Sequence, residues 1–291
     1  MKLSQTKLFQ ITISLVTVAL SQMACQSLAA RSPAQALSVQ TYTASDSGFD
    51  VNSHLIVGAH EALLVDAQFT RSEAKKVVEM VRESGRDLKT IFITHGHPDH
   101  YLGLEILTKK FPQAQVLATA EVIKDIQQTA PGKLDYWKPI YKSDLADSFV
   151  VPTAVQTDSL TLEGEKIQIV KLGAGESESA AALYIPSLQT LVSGDLAYNK
   201  VHLWLAEDRP EGWLKNLDNI QNVGPIQTVL PGHGPAGSAE ILKVDAEYIK
   251  TFLALTKPGA QKETALKNLK ALYPDYKLPV IADLSVSARV K

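Results

Sequence analysis

The pattern of apolar and polar positions divides the first half of the chain into alternating strands and helices. Two apolar segments, 51–57 and 62–66, flank a short polar turn and therefore predict a β-hairpin. Apolar residues then recur with helical spacing over 72–83, which predicts a helix that Ser72 caps and Gly85 ends. The same patterns predict two further strands and two further helices, namely strands at 89–94 and 115–118 and helices at 102–111 and 120–128.

Short strands become more frequent from residue 150 onward. The predicted strands lie at 155–156, 159–162, 166–172 and 228–230 and, as a second hairpin, at 181–185 and 190–193. The predicted helices lie at 212–223, 238–255 and 262–272, and a proline-rich, less regular end follows the last of them. Because each half carries strands followed by helices, the pattern predicts an α/β or α+β architecture in which helices cover strand layers.

The N-terminal segment predicts an export signal rather than a part of the fold. Lys2 and Lys7 precede a short apolar run, and an Ala-x-Ala cleavage site ends at Ala36. The run is shorter than the roughly 20 residues that cross a membrane. We therefore expect a signal peptide over 1–36 and an exported protein, periplasmic or secreted, with no membrane span after cleavage. An uncleaved anchor and a lipid anchor at Cys25 are the alternatives.

The composition excludes several classes of function and several kinds of metal site. The 291 residues include 29 basic and 31 acidic side chains, so the chain lacks the basic excess of nucleic-acid-binding proteins, and we expect a small-molecule substrate. No glycine-rich phosphate loop follows a predicted strand, which argues against nucleotide binding. A single cysteine excludes an intramolecular disulfide and zinc sites built from several cysteines. Any metal must be held by carboxylates and the seven histidines. The sequence does not indicate an oligomeric state.

Three of the histidines fall within the motif His-Gly-His-Pro-Asp-His at 95–100, between a predicted strand and a predicted helix. His95 and His97 point to the same face of an extended backbone, so the pair suits one metal ion. Asp99 and His100 suit a second ion. Imidazole and carboxylate donors favour zinc, as one or two ions, with iron, manganese or nickel as alternatives. The motif therefore predicts a metal site.

Two later strand ends carry residues of the same types. Asp195 follows a small-residue turn at the end of a predicted strand, where its carboxylate can bridge two cations or cap a helix. His233 stands between two glycines beside Pro231, a backbone suited to close approach, although an exposed loop histidine is the alternative. Both residues are candidate metal ligands.

Together these motifs resemble the metallo-β-lactamase superfamily. The resemblance extends from about residue 51 to residue 255 and includes the first hairpin and the strands that lead to Asp195 and His233. It implies a four-layer αββα sandwich, formed by two sheets with helices outside. It also implies that Asp195 is the bridging aspartate and His233 the last histidine ligand. We expect the family domain to cover 37–257 and a C-terminal helical extension to cover 258–291.

One family ligand is missing from this sequence. The family usually has a histidine in a Gly-His-Thr or Gly-His-Ser turn, whereas the stretch 172–179 contains none. Aligning Gly175 and Ser177 with that turn places Glu176 at the ligand position, and glutamate binds zinc through oxygen at about 2.0–2.2 Å. Three outcomes stay open: Glu176 is a ligand, the first metal site is weak or empty, or a remote residue such as His202 substitutes.

Several residues after Asp195 are candidates for contact with the substrate. Some lactone-hydrolysing members of the family have a tyrosine at the offset of Tyr198, where its hydroxyl could donate to a developing oxyanion. His202 and Trp204 are candidates for the wall of a substrate pocket. For each of these residues, packing in the protein core is the alternative.

The resulting hypothesis is a metallo-hydrolase in which a metal-bound hydroxide attacks an ester, lactone or amide-like bond. Asp99 orients the hydroxide and accepts its proton, and Tyr198 assists as a catalytic donor. An ester or lactone substrate is preferred over a β-lactam because of Glu176, although the fold alone does not select a substrate. A mononuclear iron oxygenase on the same fold and a degenerate metal-binding protein without activity are the alternatives.

Overall fold

In the computed structural model, which describes residues 36–290, the apolar strands of the first half form a mixed sheet. Its strands follow one another in space as they do in the chain: β1 (Ser38–Thr43), β2 (Asn52–Val57), β3 (Glu61–Val65), β4 (Asp87–Phe92), β5 (Gln115–Ala118) and β6 (Thr153–Ala154). The first three strands pair antiparallel, and the pairs from β3 to β6 are parallel. The first predicted hairpin is thus confirmed as β2 and β3.

The strands of the second half form a separate sheet. They are β7 (Ser159–Leu162), β8 (Glu165–Leu172), β9 (Ala180–Ile185), β10 (Thr190–Tyr198) and β11 (Thr228–His233). In space the order is β11, β10, β9, β8, β7, with β10 and β11 parallel and the other neighbours antiparallel. The second predicted hairpin is confirmed as β9 and β10, and β10 runs on beyond the predicted 190–193.

Helices cover the outer face of each sheet. Along the chain, four helices lie between strands of the first sheet: α1 (Arg71–Glu83), α2 (Pro98–Tyr101), α3 (Leu104–Lys110) and α4 (Ala120–Tyr141). The second half contributes α5 (Pro210–Asn219), α6 (Glu240–Leu255), α7 (Lys262–Leu272) and α8 (Pro279–Arg289). Within residues 36–290, no helix combines the length and the apolar character that a membrane crossing requires. The predicted signal peptide and Cys25 lie outside the described residues, apart from Ala36.

Three apolar clusters separate these layers. Phe92 and Val65 of the first sheet pack against Leu183 and Val192 of the second, and this cluster fills the space between the sheets. A second cluster lies between the first sheet and helices α1, α3 and α4, and a third lies between the second sheet and helices α5 to α8. The expected four-layer αββα sandwich is therefore confirmed, and the C-terminal helices share the third cluster.

Two helices begin or end elsewhere than predicted. Thr70, not Ser72, is the N-cap of α1, and its hydroxyl accepts from the Glu73 backbone N–H at 3.3 Å. The helix predicted at 120–128 continues to Tyr141 although it contains two prolines. Its second part is stabilised by tertiary packing, because the rings of Trp137 and Tyr141 lie edge-on against Phe69. Proline lowers helix propensity, but packing of this kind overrides it.

Two further segments also differ from the prediction. The helix predicted at 102–111 is observed as α3, and the short helix α2 precedes it as a separate element. Gly103, between the two helices, lies so close to Ala67 that a Cβ would be 1.9 Å from the Ala67 carbonyl oxygen. The proline-rich end contains a regular helix, α8, because Ala282 and Val286 are fully buried against the second half. Burial of small and apolar residues, rather than local propensity, accounts for this helix.

Phe92 tests the layered packing, because it has no exposed surface and lies between the two sheets. We expect Phe92→Ala to lower the free energy of unfolding by about 3–5 kcal/mol through lost burial and a cavity. Val280→Ala is the control, since this side chain is 48% exposed and its truncation should change stability by about 0.5 kcal/mol or less. Denaturant unfolding measures both, and a loss below about 1 kcal/mol for Phe92→Ala would contradict the packing.

Candidate metal centre

The candidate centre forms where strand ends of the two sheets meet. β4 leads into the motif at 95–100, and α2 begins inside that motif. β10 carries Asp195 and the neighbouring parallel strand β11 ends at His233, so both residues lie at the same edge of the second sheet. A backbone bridge between His95 and Ala180 joins the two sheets at this point. The predicted ligand positions are therefore brought together from distant parts of the sequence.

The first group of donors combines two histidines with two carboxylates: His95, His97, Glu176 and Asp195, whose ligand atoms lie within 4.8 Å of one another. The closest contact is 2.9 Å, between His97 Nδ1 and Glu176 Oε1. His95 Nε2 lies 3.7 Å from Glu176 Oε2 and 3.7 Å from Asp195 Oδ2. Glu176 thus faces the His95 and His97 pair.

The second group consists of Asp99, His100 and His233, which also lie within 4.8 Å of one another. His233 Nε2 lies 3.4 Å from Asp99 Oδ2. Asp195 extends to this group as well, with Oδ1 3.2 Å from His100 Nε2 and Oδ2 3.2 Å from His233 Nε2. Its carboxylate is therefore common to both groups, as expected of a bridging ligand.

Several donor atoms of these groups are buried without a hydrogen-bond partner. Within residues 36–290 these atoms include His95 Nε2, His100 Nε2, Glu176 Oε2 and Asp195 Oδ1. An unpartnered buried polar atom costs about 1–3 kcal/mol, and such atoms are uncommon in native proteins. Here they converge on one point, where a cation would satisfy them. The nitrogen and oxygen donors therefore fit a divalent metal ion.

Each of the four imidazoles is held from outside through its other ring nitrogen. The outer partners are Thr94 Oγ1 at 3.0 Å from His95 Nδ1, Glu207 Oε1 at 2.8 Å from His97 Nε2, Asp66 Oδ2 at 2.8 Å from His100 Nδ1, and the Phe49 carbonyl oxygen at 2.6 Å from His233 Nδ1. A ring nitrogen that donates outward leaves the other nitrogen as the lone-pair ligand. The outer contacts thus aim Nε2 of three rings, and Nδ1 of His97, at the centre.

Sequence reasoning did not identify these outer partners. Asp66 accepts from both the backbone N–H and the hydroxyl of Thr94, at 2.9 and 2.8 Å, in addition to holding His100. The only feature of the sequence that could have indicated Asp66 is its position at the end of an apolar strand. Glu207 has no such signal, because it lies 110 residues from His97 in a polar loop.

Burial and neighbouring charges determine the ionisation of the donors. Burial alone raises the pKa of Asp195, but the neighbouring histidines, above all His100 and His233, hold it well below its usual range. Burial raises the pKa of Glu176 to about 7, against the opposing effect of His97. Burial lowers the pKa of His97, but the charge and hydrogen bond of Glu176 and the hydrogen bond of Glu207 together outweigh burial and raise this pKa to about 10. The groups therefore stabilise one another's charges inside a buried site.

Tyr198 lies inside the cluster rather than in an open pocket. Its hydroxyl donates to Asp195 Oδ2 at 2.6 Å and lies 3.3 Å from Glu176 Oε1, and its ring stacks on His233. Register shifts in β10 on both sides of Gly194 place Tyr198 beside Asp195 although the two are three residues apart. The expected donation to a substrate oxygen does not fit this geometry, because the hydroxyl is buried and already bound to Asp195.

His202 lies away from both donor groups. Its Nδ1 is 2.7 Å from the Tyr248 hydroxyl, its ring contacts Tyr276, and 1% of its surface is exposed. Neither the role of a pocket-lining residue nor that of a substitute ligand agrees with this position. Burial lowers the pKa of this imidazole to about 4, which suits a neutral, packed ring.

The centre is most accessible on the side of His97 and Asp99. Their side chains are 11% and 14% exposed and that of Glu207 is 29% exposed, whereas the other donor side chains are nearly inaccessible. Trp204 is half-buried at this side, with its ring centroid 6.4 Å from that of His97. Trp204, which the sequence predicts to be in the wall of a substrate pocket, therefore lies beside the accessible side of the centre.

Comparison with known proteins relates this chain to a family. The sequence model described as the metallo-beta-lactamase superfamily matches residues 46–241. The chain is 27% identical over 220 residues to the metallo-beta-lactamase type 2 of Bacillus cereus, and the match covers 73% of this chain and 78% of that protein. A shorter match to the hydroxyacylglutathione hydrolase of Tolumonas auensis is 32% identical over 92 residues and covers 32% of this chain and 33% of that protein.

Solved structures share the fold at lower sequence identity. A metallo-beta-lactamase family protein from Thermus thermophilus superposes with a TM-score of 0.62 and 19% identity, and covers 87% of this chain and 91% of its own. A metallo-beta-lactamase from Pontibacter korlensis gives a TM-score of 0.57 with 18% identity, over 74% of this chain and 94% of its own. At these identities the likeness establishes the fold alone.

Gly232 provides a test of the central carboxylate. A Cβ at this position would lie 1.8 Å from Asp195 Oδ1, so Gly232→Ala must displace the carboxylate. We expect the zinc affinity to fall by about tenfold or more, measured by competition with a chelating dye. Gly132→Ala is the matched control, because a Cβ there meets no atom within 4 Å. Circular dichroism establishes that both variants fold, and equal zinc affinity in the two would contradict the assignment of Asp195.

Proposed function

The chain belongs to the metallo-beta-lactamase superfamily, and we propose that it is a metal-dependent hydrolase. One observation carries this proposal: two groups of histidine and carboxylate donors converge on a buried centre and share the Asp195 carboxylate. The names of two relatives, a beta-lactamase and a hydroxyacylglutathione hydrolase, support hydrolysis as the class of reaction.

We propose zinc as the metal, bound as one or two ions. One ion would be held by the first donor group, in which Glu176 is the carboxylate at the family's histidine position, and the other by Asp99, His100 and His233. Bound divalent ions supply Lewis acidity and make water a nucleophile near neutral pH. Two carboxylates in the first group give this site more negative charge than a three-histidine site would have, which weakens the Lewis acidity there.

The residues of the chain orient the reactants and transfer the proton. Asp99 is the most exposed carboxylate of the two donor groups, so its oxygen is suited to accept a proton from the attacking water. Asp195 holds the two donor groups together, and Tyr198 fixes this carboxylate through its hydroxyl. We therefore propose a proton-accepting role for Asp99 and an orienting role for Tyr198.

We propose an ester, lactone or related amide-like substrate with an apolar part. Phe49, whose carbonyl oxygen holds His233, packs its ring against Trp137 at 5.6 Å. Tyr141 belongs to the same aromatic cluster. Burial raises the pKa of Tyr141, and the negative charge of Asp99 raises it further, so this cluster lies near the proposed proton acceptor. An aromatic surface beside the accessible side of the centre suits the apolar portion of an ester or lactone.

A mononuclear iron oxygenase is the second candidate. The first donor group contains two histidines together with carboxylate oxygens, a combination that also suits non-haem iron. The two candidates differ in metal content and in their requirement for oxygen.

Metal content tests the proposal directly. We expect the purified protein, equilibrated with zinc and iron and then desalted, to retain about two zinc ions per molecule by mass spectrometry. A chelator should abolish hydrolysis of ester and lactone test substrates, and zinc should restore it. Retention of about one iron with oxygen uptake would favour the oxygenase. Retention of no metal would exclude both enzymes and leave a degenerate protein.

Substitution of the accessible residues tests their roles. We expect Asp99→Ala to reduce kcat at least about hundredfold because the proton acceptor is lost, and His97→Ala to remove activity together with metal from the first group. His60→Ala is the control, since His60 is exposed in the turn between β2 and β3. Hydrolysis and zinc content are measured on each variant. Parental activity in both Asp99→Ala and His97→Ala would refute the mechanism.

A further inference from the structure

The chain leaves β10 in an irregular segment, residues 199–209, that passes beside the accessible side of the centre. This 199–209 loop carries Trp204, next to His97, and Glu207. Neither residue belongs to the donor groups around the centre. Four residues of the described chain make the outer contacts of the four imidazoles. Of these, Glu207 of this loop is the one that comes after Asp195 in the sequence.

Glu207 makes a close contact with the far side of the His97 ring. Its Oε1 lies 2.8 Å from His97 Nε2, while His97 Nδ1 lies 2.9 Å from Glu176 Oε1. The imidazole is thus fixed between two carboxylates on opposite sides. Glu207 is itself held by Arg209, which bonds its second oxygen and contacts Glu178 at 2.7 Å. The acceptor is therefore fixed in position rather than a freely moving surface side chain.

The C-terminal part of the chain holds the loop that carries Glu207. The Leu205 backbone N–H donates to Ser285 Oγ of α8 at 2.9 Å, and this hydroxyl donates to the Leu203 carbonyl oxygen at 3.3 Å. At the start of the loop, the His202 N–H donates to the Lys277 carbonyl oxygen at 3.1 Å. These bonds lie on both sides of Trp204, and the last of them, at Leu205, is two residues before Glu207.

We propose that Glu207 is a positioning residue for His97, and that Ser285 of α8 holds the loop that delivers it. This inference rests on the proposed metal centre. A carboxylate can only accept, so Glu207 requires a proton on Nε2 and leaves Nδ1 as the nitrogen available to the centre. Outer partners of this kind set the tautomer and orientation of metal-binding histidines. Without Glu207 the ring could rotate or present its other nitrogen.

Zinc affinity of Glu207 variants tests the inference. Glu207→Leu removes the acceptor at similar size, and we expect zinc affinity to fall by about ten- to hundredfold. Glu207→Gln retains an acceptor oxygen and should recover most of that loss. Glu247→Gln is the charge-matched control, because its exposed carboxylate bonds only Lys250 of the same helix α6, and this variant should bind zinc like the parent. Equal zinc affinity of Glu207→Leu and the parent would overturn the inference.

Proton exchange provides a second measurement that does not need metal. The His97 Nε2 proton, assigned by its loss in His97→Asn, should exchange slowly in the metal-free parent and rapidly in Glu207→Leu. If the parent itself binds no zinc, the proposed function fails and this measurement decides the inference alone. Unchanged protection of the Nε2 proton in Glu207→Leu would then overturn it.

Ser285 provides the test of the C-terminal support. We expect Ser285→Ala to speed exchange of the His97 Nε2 proton and to weaken zinc binding several-fold, because the loop loses two hydrogen bonds. Ser287→Ala on the same helix is the control, since its hydroxyl bonds only the Asp283 carbonyl oxygen within α8. Identical exchange and affinity in the two serine variants would exclude a role for α8 in positioning His97.

Discussion

The carboxylate of Asp195 is the constraint on which the rest of the site depends. A charge in the protein interior must be paired or hydrogen-bonded. Asp195 lies close to His100 and His233 and accepts a hydrogen bond from the Tyr198 hydroxyl, while its Oδ1 lacks a hydrogen-bond partner and faces the centre. The backbone around it is shaped accordingly. β10 shifts register at this point, and the close approach of Gly232 leaves no room for a side chain. The irregular end of this strand therefore follows from the need to place one carboxylate between two groups of histidines.

The groups around this carboxylate are held in position by residues that lie progressively farther from the centre. The imidazoles face the centre because a second set of groups, including Asp66 and Glu207, binds their outer nitrogens. Those groups are held in turn, Asp66 by Thr94 and Glu207 by Arg209. The helices that cover the sheets complete the arrangement, since α8 bonds the loop that carries Glu207. The four-layer fold thus supports the chemistry from both sides.

The sequence predicted the parts of this structure that depend on local pattern. Alternating apolar segments identified the hairpins, and the histidine-rich motif at 95–100 pointed to the centre before any contact was known. Interactions between distant residues escaped prediction for a physical reason. Glu207 and Asp66 act through partners that only folding brings near, and the α4 helix continues past Pro131 because of packing that its own sequence does not display. The same limitation applies to His202, whose tyrosine neighbours come from later parts of the chain.

The bonds between the 199–209 loop and α8 also bear on the order in which the protein can mature. Leu205 and its partner Ser285 are 80 residues apart in the chain. At a synthesis rate of about 5–20 residues per second, the strands and the histidine motif exist for seconds before this support has been made. The imidazoles can therefore gather around Asp195 early, whereas the loop that carries Glu207 gains its bonds to Ser285 only after the C-terminal helix docks. Metal captured during that interval would meet a looser site than metal that arrives afterwards.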